Sequence, residues 1–153
     1  MPRVRALPTP EFRQALLETY AVNQRMNQLV LEKLDPQAWR AKPPGRNGRT
    51  VAAIFAHMHH ARRKWLRLSA PHIKLPVELD RTRCTPRQVR AALAQSAKLC
   101  SKMLADALDP NGRIQEFWRD GWADAGQAAP RCSLIWSCTT SIIVVRSACS
   151  LIN

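Results

Sequence analysis

Apolar residues recur along this chain at steps of three and four, the period of helices that bury one face. Phe12, Leu16, Tyr20, Met26, Val30 and Leu34 mark the first such stretch, which opens at Pro10-Glu11. Asp35-Pro36 closes it, because a residue before proline avoids the helical region. Residues 37–48 read as a loop holding Pro43-Pro44-Gly45 and Asn47-Gly48. Thr50 is placed to cap a second helix that runs to Leu68, with Val51, Ile54, Phe55, Met58, Ala61, Trp65 and Leu68 as its apolar stripe. Arg62, Arg63, Lys64 and Arg67 gather at its C-terminal half, where cations suit the helix dipole, and read as a solvated helix end. Thr85-Pro86 then opens a third helix with Val89, Leu93, Ala97, Cys100 and Leu104 on its buried side. Leu108 to Gly112 stops it, and Ile114–Trp122 is a short stretch rich in aromatics and acids.

Connection lengths bear on topology. The stretch from Ser69 to Cys84 is long enough to cross a bundle, so the second and third helices can run parallel. Three helices with wide stripes want a fourth to close the core, which predicts an all-α chain. The reading divides the chain into a loose arm at 1–9, a helical bundle at 10–124 and an aberrant tail at 125–153.

Composition narrows the class. The chain has 153 residues, 46 % hydrophobic and 23 % charged, close to the globular average. No run of apolar residues approaches a membrane span, and the N-terminus lacks the apolar core of a signal peptide, so the expected compartment is the cytoplasm. Five cysteines without a Cys-x-x-Cys pair argue against a disulfide framework or a cysteine zinc site. The formal net charge of +13 admits a nucleic-acid or other anionic partner, yet no base-reading motif or aromatic interleaving accompanies it.

The fourth helix is expected after Gly126, and the chain there fits neither helix nor paired strand. All eleven acidic residues lie at or before Asp124, and the tail holds Cys132, Cys138 and Cys149 among β-branched residues and serines. Either the C-terminus is genuine but odd, or the reading frame slips near Gln127–Arg131; the genetic code favours the slip. Thr139 to Arg146 is encoded ACN-ACN-TCN-ATH-ATH-GTN-GTN and an Arg codon. One base earlier, with permitted third letters, this reads CAC-GAC-NTC-CAT-CAT-CGT-GGT-CAG, or His-Asp-apolar-His-His-Arg-Gly-Gln.

The segment Gly48–Leu66, with a capping Thr50, apolar positions and then His57-Met58, resembles the second helix of the DinB/YfiT family of metalloenzymes. Asn23, Asn27 and Leu29 fit that family's first helix, and the base-shifted His-rich stretch fits its last. The resemblance covers residues from about Pro10 to Trp122. It implies a four-helix bundle with up-down-down-up topology. It further implies a zinc or nickel ion held by one His of the second helix and two, four residues apart, of the fourth. Residues i and i+4 share a helix face, so two such imidazoles can converge with a third from a facing helix. Three protein ligands leave a position where the metal activates water or a low-molecular-weight thiol, and relatives act as thiol-transferases or hydrolases.

Carried over residue by residue, the resemblance assigns one metal ligand, His57. The other two fall at codons spanning Cys138/Thr139 and Ile142/Ile143, where no His stands. The expected function is therefore that of a DinB-like metal-binding protein whose metal is not tightly held and whose activity is absent or impaired. His59 and His60 are expected at a solvated surface, while Cys132 and Cys138 are weak substitutes as ligands. An unfilled groove is expected to favour a homodimer or aggregation. The competing readings are a small basic helical module that binds nucleic acid or another anion, and an unstable fragment without function.

Overall fold

A computed structural model describes residues 10–42 and 48–108 of the chain. These form three α-helices, α1 (Pro10–Lys33), α2 (Val51–Ser69) and α3 (Pro86–Ala107), and one short 3-10 helix, Pro36–Arg40. The described part is all-helical. The N-terminal arm, Ile114–Trp122, the tail and the expected fourth helix lie outside the described residues.

The starts of α2 and α3 have local causes. The Thr50 side chain accepts the Ala53 N–H at 3.2 Å, which caps α2. At α3, Thr85 Oγ1 accepts the Gln88 N–H at 3.3 Å while Gln88 Oε1 accepts the Thr85 N–H at 2.9 Å, a reciprocal capping box with Pro86 at the first helical position. The expected loop at 37–48 begins instead with a 3-10 turn. Asp35 caps it by accepting the Gln37 N–H, and buried Trp39 anchors it with its indole N–H on the Cys84 carbonyl at 3.1 Å. A tryptophan flanked by Gln37-Ala38 and Arg40 has no periodic partner, so spacing alone gave no sign of its burial.

Hydrogen bonds between helices fix the topology. Arg13 reaches the Ala105 carbonyl, Gln24 that of Leu93 and Gln28 that of Arg90, so α1 and α3 are antiparallel. The Cys84 thiol lies over the Ala52 carbonyl and Arg62 donates to the Leu93 carbonyl, so α2 and α3 run parallel. The order is thus up-down-down, with α2 and α3 parallel as the long connection allows. Residues 74–80 return along α2 without regular secondary structure, and the carbonyls of Pro76, Val77 and Leu79 accept from or face Arg63, His59 and His60.

The core consists of two apolar clusters with a polar layer between them. One holds Trp39, Phe55, Met58, Val89 and Leu93 among others; the second holds Tyr20, Trp65, Leu66, Cys100, Met103 and Leu104. Asn23 and Asn27 of α1, His59 and Arg62 of α2, and Ser96 of α3 are buried polar residues on the same three helices. The predicted α3 stripe is buried at all five positions. The predicted α1 and α2 stripes hold in part: Tyr20 of α1 and Val51, Phe55, Met58 and Trp65 of α2 are buried as expected. Phe12, Met26 and Leu68 are exposed, Ile54 and Ala61 are half-buried, and Ala52, Ala56, Leu66 and Ser69 are buried in their place. His59, Arg62 and Ser69 are buried beside them, so the inner face of α2 is not purely apolar.

Candidate functional site

Three histidines lie within one turn of α2, and their surroundings differ. His59 is 0 % exposed. Its Nε2 lies 2.7 Å from the Val77 carbonyl, while Nδ1 is buried without a hydrogen bond among the described residues. Burial holds its pKa below the ordinary histidine value; the Val77 and Ala92 backbones oppose this, and His60 and Arg63 add to it. The expectation that His59 is solvated is therefore corrected: three residues before Arg62 and four after Phe55, it lies on the face turned to α3.

His60 is half-buried. Its Nε2 meets the Leu79 carbonyl at 2.8 Å and its Nδ1 accepts from Arg81 Nε at 3.1 Å. That pair of contacts suits the neutral ring with the proton on Nε2. Thus His60 is a clamp on the returning segment rather than a free surface ring.

His57 stands apart. It is half-buried on the side of α2 that carries Ile54, Ala61 and Leu68, and it makes no hydrogen bond among the described residues. Its pKa is lowered first by burial and then by the positive charges of Arg49 and Arg81 and by His60. The neutral imidazole is the form that coordinates metals. Among the described residues no group of three His, Cys, Asp or Glu is arranged to hold an ion. The described cysteines, Cys84 and Cys100, are buried, and burial pushes the Cys84 pKa up, which keeps its thiol protonated. Cys132 and Cys138 lie outside the described residues.

The basic cluster on α2 is also not uniform. Arg63 reaches the Pro76 carbonyl at 2.9 Å and Glu78 at 2.8 Å, holding the Glu78 carboxyl below its usual range. Arg62 is 2 % exposed, which corrects its assignment to a solvated helix end. Its guanidinium lies 5.9 Å from the Tyr20 ring centroid, within cation–π range. No helix among the described residues is long and apolar enough to cross a membrane. No known protein family, curated protein or solved structure matches the chain.

Proposed function

We propose that the chain is a DinB-like metal-binding bundle reduced to one corner of its site, with His57 as the remaining ligand and no efficient thiol-transferase or hydrolase activity. One observation carries this reading: of the three histidines on α2, His59 and His60 are tied to backbone carbonyls, whereas His57 makes no hydrogen bond among the described residues. An imidazole kept neutral and unengaged, on a half-exposed helix face, suits a group whose partners come from another helix. The up-down-down order of α1 to α3 agrees with the expected bundle. A fourth helix carrying two histidines four residues apart would complete a triad. As translated, the chain has no histidine after His72.

Electrostatics point to weak binding. Arg49 and Arg81 act on His57, and positive charge opposes a divalent cation unless carboxylates or thiolates offset it. A lone imidazole among these charges grips zinc or nickel loosely. The same field supports a second reading, in which this end of α2 attracts an anionic partner such as nucleic acid. Retention on DNA that falls steeply with salt would favour that alternative.

The test is an NMR titration of the histidine rings of the purified chain with Zn2+ or Ni2+. His57 signals should respond first and remain unsaturated at one equivalent, and His57→Ala should abolish the response. Equal responses at His59 and His60, or none at His57, would remove the reading.

A further inference from the structure

The inner side of α1 buries Tyr20, Asn23, Asn27 and Leu31. Its outer side is not the polar face that a solvated helix presents. Val22, Met26 and Leu29 are half-exposed there, and with Phe12 they make four of the six large apolar residues exposed among the described residues. Positions 12, 15, 19, 22, 26 and 29 recur at alternating steps of three and four, and all six are exposed. Steps of that kind keep a straight seam that two helices can share.

Charge selects the partner and its direction. Glu18 and Arg25 flank the seam on one side, one heptad apart and both exposed. Glu18 accepts from Gln14 of its own helix at 2.7 Å, and Arg25 meets no carboxylate among the described residues. Let a second α1 lie antiparallel, with Thr19 opposite its Val22. Ala15 then falls opposite Met26, a small residue against a large one in both layers, and Phe12 falls opposite Leu29. The same register sets Glu18 against Arg25 twice, by the twofold symmetry of the pair. At its ends Glu32 approaches Glu11, and Arg90 of the same chain, 4.0 Å from Glu32, offsets that charge. Sliding by one heptad would set Arg25 against Arg25 and Glu18 against Glu32. A parallel pair would leave Arg25 opposite Val30.

We propose that the outer side of α1 is the docking surface for a second copy of this chain, paired antiparallel through Val22 and Met26. It involves no residue of the His57 site, so either reading can fail without the other.

The experiment is sedimentation equilibrium of the full chain over a concentration series. The mean mass should rise from one chain toward two. Met26→Glu should hold it at one, with helix content by circular dichroism unchanged. Glu18→Arg or Arg25→Glu alone should weaken the dimer roughly tenfold, because symmetry counts each like-charge pair twice. The two reversals together should restore it. A chain that stays monomeric at every concentration would overturn the proposal and leave the stripe to another part of the chain or to another protein. So would a dimer indifferent to Met26→Glu, or one that the paired reversal fails to restore, since the copies would then meet elsewhere or in another direction.

Discussion

His59 shows how one side chain can couple helix packing to pH. The unfolded ring titrates near 6.5 and the folded ring below it. Between those values the unfolded chain binds more protons, so folding stability rises with pH there and is lost as pH falls through the window. The wild-type chain should therefore destabilise progressively below about pH 6.5, before carboxylates titrate. His59→Gln should flatten that part of the profile more than His60→Gln; equal flattening by both would mean burial of His59 is not the cause. Leu93 tests packing at the same scale. Its side chain is fully buried in the apolar cluster beneath the polar layer. Leu93→Ala should cost about 2–5 kcal/mol in urea unfolding, since a cavity adds to lost transfer energy. A cost below about 1 kcal/mol, small by the same standard, would mean the three helices do not pack as described.

Helix ends and helix faces differ in how far sequence reveals them. Thr50, Thr85 and Pro86 mark starts because capping chemistry is local, and both caps form as expected. Thr85→Ala removes half of a reciprocal pair and should cost about 1 kcal/mol, with Gln88→Ala adding less than its own single effect. Additive losses in a double-mutant cycle would show that the two side chains act independently. The faces were harder to read. Residues 93, 97, 100 and 104 of α3 follow a clean helical period and are buried. On α2 the apolar count misleads, because His59, Arg62 and Ser69 are buried while Leu68 is exposed. What orients α2 is the returning segment 74–80, whose carbonyls clamp His59, His60 and Arg63. Contacts of backbone oxygens across such sequence distance leave no periodic trace. That His57 shares a helix side with Ile54, Ala61 and Leu68 was legible from spacing, whereas the burial of Arg62 was not, since clustered basic residues ordinarily face water.

At the scale of the whole molecule, the length of their connection allows the parallel pairing of α2 and α3, and α1 closes against α3 in the opposite sense. This arrangement leaves apolar Phe12, Val22, Met26 and Leu29 exposed along α1. It also leaves His57 on a side of α2 away from the α3 contact. Both features agree with the proposal made above, in which the first three helices belong to a metal-binding bundle and a slipped frame removes the histidines of the fourth. The most direct measurement is the metal-to-chain ratio after zinc loading and desalting, made on this chain and on a version translated one base earlier from Gln127. The account expects well under one ion per chain for the first, and one ion per chain, lost on His57→Ala, for the second. One tightly held ion in the chain as it stands, or none in the base-shifted version, would contradict it.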